Sequence, residues 1–157
     1  IRIYHPLDAL SISHHANDPA IARYMTDAFP SPYTVASAES WIKVATAGEP
    51  EGYMHFALID ARADMGIAVG GIGLKPGVDV QRFGAEVGYW LGRAYWGSGA
   101  MVEILKAFTT YAFTRSTWPT ISRFNRLYAL VFNGHTASEK TLQRAGFSFE
   151  GSMRGAI

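Results

Sequence analysis

The chain has 157 residues, 48% of them apolar, with 14 basic and 13 acidic side chains and no cysteine. The apolar share and the net charge of +1 exclude a disordered chain, and the lack of cysteine excludes disulfides and thiol nucleophiles. Balanced, mixed charge argues against a nucleic-acid partner, and without a span of roughly 20 apolar residues or a signal peptide we expect no membrane partner. We therefore expect a cytoplasmic protein that forms a single domain over residues 1–157.

The first half of the chain is predicted to form one strand, two helices and three further strands. A strand at 1–4 precedes a polar stretch and a short helix opened by Asp18-Pro19. Thr34 can cap the second helix because its hydroxyl can accept a hydrogen bond from a first-turn amide. Turn residues separate the next three strands, which we interpret as an antiparallel meander, at 53–59, 67–74 and 85–91.

The second half alternates helices with strands. Apolar residues at helical spacing predict a long helix at 99–114. A strand, a short helix and the start of a last strand follow at 127–132, 136–144 and 147–150. The order β-α-α-β-β-β-α-β-α-β predicts an α/β (α+β) fold, in which a mixed central sheet has helices on both faces and the long helix connects one parallel pair of strands.

The segment from Glu86 to Glu103 carries the clearest chemical signal, because a strand ends, a glycine-containing loop follows and a long helix begins at once. Amides at a helix N-terminus attract anions, and glycines let a phosphate approach the backbone. The segment lacks the Lys-Ser/Thr pair of a P-loop and the third glycine of a dinucleotide fingerprint. From these residues alone, a phosphate-binding loop and a plain strand-to-helix turn both remain open.

Short motifs are spread over nearly the whole chain. In chain order they are Asn17-Asp18-Pro19, Tyr24-Met25, Pro32-Tyr33-Thr34, Trp41-Ile42, Gly70 to Leu74, Glu86 to Leu91, Tyr95 to Gly99, Glu103, Ala137-Ser138 and Leu142 to Gly151. Together they resemble the GNAT superfamily of acyl-CoA-dependent N-acetyltransferases, and specifically its RimJ/RimL-like branch. The resemblance implies a GNAT-like fold and transfer of an acetyl group from acetyl-CoA to a primary amine by direct attack on the thioester. Family members usually continue beyond the position of Ile157, so the last strand is expected to be incomplete.

The resemblance also implies which residues hold acetyl-CoA. Backbone groups at the end of the third meander strand would bind the pantetheine arm, and these belong to Tyr89, Trp90 and Leu91. Amides of the following loop would bind the pyrophosphate, and these belong to Trp96, Gly97, Ser98, Gly99, Ala100 and Met101. Ser138 would lie beside the cofactor. Met101 stands where the superfamily prefers glycine or alanine, and we expect it to alter packing more than binding. His135 stands where the branch usually has asparagine, which weakens any role carried over for that amide.

Direct transfer needs a neutral amine and a proton for the leaving thiolate. At pH 7, deprotonation costs a lysine amine roughly 4.6 kcal/mol and an α-amine only about 1–1.4 kcal/mol. Glu86 is the candidate base because it shares a strand face with Gly88 and Trp90, although a purely structural role is equally open. Ser138 is the candidate acid by resemblance, and a first-turn role in which it only satisfies its own helix is also open. His135 is an alternative acid, since imidazole titrates near neutrality.

Two other functions remain open on the sequence. One is a catalytically weak module that binds or senses acyl-CoA, and the other is a nucleotide-binding domain. For the leading prediction the partner is an amine substrate, either a peptide N-terminus or a small molecule, and the segment 27–33 is expected to shape its choice. We expect no metal, because His14-His15 has no third ligand at metal spacing, and a monomer or homodimer.

Overall fold

The computed structural model describes residues 1–47, 54–63, 66–115, 118 and 123–155. Within these ranges four strands form one sheet in sequence order: β1 (Met54–Asp60), β2 (Ile67–Pro76), β3 (Gly84–Leu91) and β4 (Arg126–Tyr128). The α-helices are α1 (Ala9–Ala16), α2 (Pro19–Ala22), α3 (Val35–Thr46), α4 (Ala100–Thr114) and α5 (Thr136–Arg144). β1 to β3 form an antiparallel meander and β4 lies parallel to β3, so the predicted mixed sheet and its parallel pair are confirmed.

Helices cover both faces of the sheet, as predicted. On one face α4 and α5 bury residues such as Leu105, Phe108 and Leu142 against alternate side chains of the strands. On the other face α1 and α3 pack Ile12 and Ile42 against β1 and β2. The alternation of side chains along β3 therefore sends odd-numbered residues to the α4 face and even-numbered residues to the α1 face.

Local signals in the sequence explain where several helices begin and end. The Thr34 hydroxyl accepts a hydrogen bond from the Ser37 amide at 3.1 Å, so the predicted cap of α3 is confirmed. The Asp18 carboxylate accepts from the Ala20 amide at 2.8 Å and opens α2. α5 occupies the predicted residues and is followed by Gly146, whose φ of 101° suits a residue just beyond a helix end.

The N-terminal region differs from the prediction in two ways. The predicted strand at 1–4 is wrong: only Arg2 bridges to β1, and its guanidinium binds the buried Asp8, which ends a 3-10 turn (Pro6–Asp8) directly before α1. The stretch taken as polar contains α1. Its buried side chains Ala9, Ile12 and Ala16 recur at helical spacing, and this short apolar stripe is what stabilises the helix.

The last two predicted strands also need correction. β4 ends at Tyr128 rather than at 132. The predicted strand at 147–150 is wrong within the described residues, because a strand requires a partner and none pairs with this segment. Instead, the Glu150 carboxylate binds the Arg126 guanidinium of β4. Residue 53 of the predicted second strand and residue 157 lie outside the described residues.

Candidate active site

β3 and β4 part shortly after they meet. β4 pairs with β3 only from Gly84 to Glu86, whereas β2 remains paired with β3 as far as Leu91. In the described part of the chain, residues 87–91 thus have no strand beside them on the β4 side. A strand edge presents backbone donors and acceptors in a row, so this edge can bind an extended ligand that contains amide groups.

The loop of residues 92–99 connects β3 to α4 and is fixed by side-chain hydrogen bonds. The Trp96 indole nitrogen donates to the Leu91 carbonyl oxygen at 2.7 Å. The Ser98 hydroxyl donates to the Tyr95 carbonyl oxygen at 2.8 Å and accepts from the Ala100 amide at 3.3 Å. These bonds hold the loop against the end of β3, so its backbone is ordered before any ligand binds.

Two glycines give this loop its shape. Gly97 and Gly99 have φ values of 73° and 82°, a region that side chains disfavour, and a Cβ on either residue would meet open space. Among the described residues, no protein group accepts a hydrogen bond from the amides of Gly97, Ser98 and Gly99. Unpaired amides beside the N-terminus of the 15-residue helix α4 form a site suited to phosphate oxygens.

A pocket of about 220 Å³ lies on the α1 face of the sheet, and we call it the Glu86 pocket. β3 contributes Glu86, Gly88 and Trp90 to its lining, so the predicted common face of these three residues is confirmed. The other lining side chains are mostly aromatic or apolar, with one imidazole and one ammonium group, and among them are Tyr4, Met25, Trp41, His55 and Lys75. The pocket therefore combines one carboxylate with a largely apolar wall next to the open edge of β3.

His55 is a residue of this pocket that the sequence reasoning missed. Its ring packs edge to face against Trp41, with ring centroids 4.7 Å apart. Burial lowers the pKa of His55 to about 4, so the imidazole is neutral at physiological pH. The available signal was its position: His55 is a polar side chain inside the apolar strand β1, on the face that alternation assigns to residues 55, 57 and 59.

Acidification should destabilise the protein through His55. The folded state keeps His55 neutral down to about pH 4, whereas the unfolded chain binds a proton near pH 6.5. The unfolded state therefore binds more protons, and stability falls as pH falls from 6.5 to 4. The free energy of unfolding in urea should fall between pH 7 and pH 4 in both proteins, and the fall in the wild type should exceed that in His55→Gln by about 2–3 kcal/mol. Equal losses in both proteins would contradict this expectation; His15 and His135 titrate in both, so they cancel in the comparison.

The Ser138 hydroxyl forms a hydrogen bond with the side chain of Tyr89, a residue that was predicted to act only through its backbone. The hydroxyls of Ser138 and Tyr89 are 2.7 Å apart and share a hydrogen bond between α5 and β3. Burial raises the pKa of Tyr89, so its hydroxyl stays protonated at neutral pH. Because Tyr89 packs on the α4 face, Ser138 lies on the opposite face of β3 from the Glu86 side chain. Glu86 is the last residue of β3 that pairs with β4, and Tyr89 lies on the open edge beyond it.

His135 contacts the segment that follows α2. Its ring stacks on Tyr24 with centroids 3.9 Å apart and planes 7° apart. Burial lowers the pKa of His135, although the nearby Glu139 acts in the opposite direction. The imidazole is therefore mainly neutral at pH 7. This stack joins the start of α5 to the segment before the predicted specificity region, a contact that the sequence reasoning did not foresee.

The loop residues with large side chains differ in exposure. Trp96 is 47% exposed, and its indole nitrogen is used within the loop. Met101, in the first turn of α4, is buried in the main core. The Met101 side chain therefore contributes to packing and does not cover the loop amides.

Within the described residues, no group of three or more histidine, cysteine or acidic side chains is arranged to hold a metal ion. None of the helices in the described ranges has the length and apolar character needed to cross a membrane.

Comparisons with known proteins agree with this geometry. The family model described as an acetyltransferase (GNAT) domain matches residues 1–148. The uncharacterized N-acetyltransferase p20 of Bacillus licheniformis is 30% identical over 149 residues, which cover 94% of this chain and 77% of that protein.

Two solved structures share the fold at low sequence identity. RimL, a ribosomal L7/L12 α-N-protein acetyltransferase in complex with coenzyme A, superposes with a TM-score of 0.80 and 16% sequence identity. The match covers 99% of this chain and 83% of RimL. RimJ of Mycobacterium smegmatis in complex with CoA-disulfide gives a TM-score of 0.76 with 21% identity, covering 96% of this chain and 70% of RimJ. The predicted resemblance is confirmed by the family match, and the chain belongs to the GNAT acetyltransferase family.

Proposed function

We propose that the protein is an acetyl-CoA-dependent N-acetyltransferase that modifies a primary amine, either a protein N-terminal α-amine or the amine of a small molecule. The observation that carries the proposal is the succession of three features along β3. These are the open edge at 87–91, the unpaired amides of the 92–99 loop and the Glu86 pocket. They suit, in turn, an amide-containing arm, a pyrophosphate and an amine beside a carboxylate.

The residues expected to hold acetyl-CoA fit that ligand chemically. The Gly92 amide bonds the Val69 carbonyl oxygen of β2, so by strand alternation the backbone of Trp90 faces Gly71 of β2, and the backbone groups of Tyr89 and Leu91 face the open edge. Apart from the Leu91 carbonyl oxygen, which accepts from the Trp96 indole, these groups can bond the pantetheine amides.

Of the amides expected to hold the pyrophosphate, those of Gly97, Ser98 and Gly99 have no acceptor among the described residues and lie at the start of α4, where the helix dipole favours negative charge. The Trp96 amide donates to the Arg93 carbonyl oxygen and the Ala100 amide to the Ser98 hydroxyl. When bound, acetyl-CoA supplies the activated acetyl group as a thioester. The near-neutral charge of the chain agrees with phosphates met by amides rather than by a basic surface.

Proton transfers precede and accompany the reaction. Glu86 takes a proton from the ammonium form of the amine, and the neutral nitrogen then bonds to the acetyl carbon as the carbon–sulfur bond breaks. The remaining excess proton on nitrogen passes to water as the amide forms. Ser138 donates a proton to the leaving sulfur and can be reprotonated by Tyr89, whose hydroxyl it contacts at 2.7 Å. His135 is the weaker candidate acid, because an imidazole with a lowered pKa is mainly neutral at pH 7 and its ring is stacked on Tyr24.

An α-amine is the better acceptor for this set of residues. It loses its proton at a cost of about 1–1.4 kcal/mol at pH 7, against roughly 4.6 kcal/mol for a lysine amine. The imidazole in the Glu86 pocket, that of His55, has a pKa of about 4 and adds no strong base there. The α-N-acetylation named for the structurally similar RimL agrees with this choice.

Two measurements test the proposed function. Acetyl-CoA at about 100 times its Kd should raise the free energy of unfolding by about 2.7 kcal/mol. Release of free thiol from acetyl-CoA should then depend on the acceptor, and tetrapeptides that begin with alanine or serine should react faster than Nα-acetyl-lysine amide. Binding of acetyl-CoA without acceptor-dependent release would favour a binding or sensing module instead, and stabilisation by ATP but not by acetyl-CoA would favour a nucleotide-binding domain.

A further inference from the structure

The segment that follows α2 lies on the α1 face of the sheet. Tyr24 and Met25 form the turn directly after α2, where each amide bonds a carbonyl oxygen three residues earlier at 3.1 Å. Met25 lines the Glu86 pocket together with Trp41, which packs against the core of that face. Because these backbone bonds continue the helical turn, Tyr24 is held one residue from the pocket wall.

His135 belongs to an element on the opposite face. It directly precedes α5, whose Leu142 is buried in the core that α4 covers. The His135 carbonyl oxygen accepts from the amides of Ser138 and Glu139 at 3.0 Å and 3.2 Å, so His135 and Ser138 share the first turn. The Ser138 hydroxyl in turn bonds the hydroxyl of Tyr89 on β3. A displacement of His135 therefore moves the candidate acid.

The stack of Tyr24 on His135 joins these two faces. β2 stays paired with β3 as far as Leu91, so the short path between the faces at this level of β3 runs past the edge that β4 has left. The two rings are parallel within 7°, their centroids are 3.9 Å apart, and both are only partly exposed. The stack therefore crosses the open edge beside Ser138, where the proposed function puts the thioester.

The charges around the stack favour its persistence. The Arg23 guanidinium lies 5.3 Å from the centroid of the Tyr24 ring. Because burial lowers the pKa of His135, the imidazole is mainly neutral at pH 7 and does not repel this cation. A neutral ring can thus share Tyr24 with a guanidinium group.

We propose that the Tyr24–His135 stack covers the thioester at the open edge of β3, where it holds Ser138 in position and excludes water. Tyr24 is a positioning residue, because it acts through His135 and the first turn of α5. Water competes with the amine for an activated acetyl group, so a covered thioester favours transfer over hydrolysis. This inference rests on the proposed function and adds to it a pair of residues that protects the reacting group.

The test compares variants of Tyr24 with an alanine-initiated tetrapeptide as acceptor. Tyr24→Ala removes the stack, so kcat should fall about tenfold while the peptide KM changes by less than about twofold. The share of thiol release that yields no acetylated peptide, which measures hydrolysis, should rise several-fold. Tyr24→Phe keeps the flat ring and should retain the wild-type values. Phe83→Ala is the matched control, because Phe83 is an exposed ring with an arginine guanidinium 4.5 Å away but lies outside the Glu86 pocket.

A second comparison tests whether Tyr24 acts through His135. In a His135→Ala background, Tyr24→Ala should cause no further loss of kcat, since the partner ring is already absent. Additive losses would overturn the inference. An unchanged share of hydrolysis in Tyr24→Ala, or a Tyr24→Phe variant as impaired as Tyr24→Ala, would also overturn it.

A readout without catalysis separates this inference from the proposed function. In the ligand-free protein, hydrogen exchange of the Ser138 and Glu139 amides should be about tenfold faster in Tyr24→Ala than in the wild type or Tyr24→Phe, because the stack holds that turn. Faster exchange, in a protein whose wild type releases no thiol, contradicts only the transfer reaction. Thiol release by the wild type, with equal exchange in all three proteins, contradicts only the role of the stack.

Discussion

Replacing Glu86 with glutamine is expected to lower kcat/KM for an α-amine acceptor by about 10²–10³-fold. The substitution keeps the size and hydrogen-bonding capacity of the side chain but removes the carboxylate that takes the proton. Glu86 lines the pocket next to Gly88, where an added Cβ would meet no atom within 4 Å, so the pocket has room for an amine beside the carboxylate. The Kd of acetyl-CoA should not change, because the expected cofactor contacts come from backbone amides farther along the chain. Initial rates of thiol release and a thermal-shift titration measure the two quantities.

The pH dependence of this variant provides the sharper check. An α-amine has a pKa near 7.7–8.0, so it is mainly neutral at pH 9 and no longer needs a base. The difference in rate between the wild type and Glu86→Gln should therefore narrow as pH rises from 6.5 to 9. Glu39→Gln, an exposed substitution on α3, is the control and should leave the rates unaltered. Equal turnover of Glu86→Gln and wild type at every pH would remove Glu86 from the mechanism.

Periodic and capping signals were sufficient for most of the fold. α4 and α5 lie where the sequence predicted them because a one-sided apolar stripe and a terminal glycine act through residues close in the chain. The polar residues of α1 concealed its narrow apolar stripe. The segment 147–150 has strand-like composition, but strand formation depends on a partner, and composition does not supply one.

In the candidate site, too, features that depend on neighbouring residues were predicted and contacts between distant segments were not. Strand alternation is local, and it correctly predicted that Glu86, Gly88 and Trp90 share a face. The contact between His55 and Gly73 depends on the register of β1 against β2, which a single sequence does not specify. Likewise, the Tyr24–His135 stack joins segments distant in the chain. The cofactor contacts and the role of Ser138 stay predictions carried over from a family resemblance, and the roles of Glu86 and His135 stay predictions from strand alternation and from imidazole chemistry.

Gly73 of β2 and Gly88 of β3 both line the Glu86 pocket, and substitutions at Gly73 are expected to have a large effect on stability. Gly73→Ala is expected to destabilise the protein by about 2–3 kcal/mol and to lower its Tm by roughly 5–10 °C. The added Cβ would lie 2.2 Å from the His55 Nδ1 and 2.7 Å from the Met54 carbonyl oxygen. A rotation of the His55 ring could relieve the first clash, but the second involves backbone and requires β1 and β2 to shift. Urea and thermal unfolding measure the loss, and a variant as stable as the wild type would contradict the expected clash.

Gly88→Ala is the matched control, because Gly88 pairs directly with Gly73 in the neighbouring strand. Its added Cβ meets nothing within 4 Å, so stability should change by less than about 0.5 kcal/mol or rise slightly as the unfolded chain loses freedom. The methyl group nevertheless enters the pocket space beside Glu86 that an acceptor needs. Gly88→Ala should therefore raise the peptide KM several-fold, and Gly88→Val more, with thermal stability retained. One row of the sheet would then separate the two uses of glycine: Gly73 makes room for a protein side chain, and Gly88 makes room for the substrate.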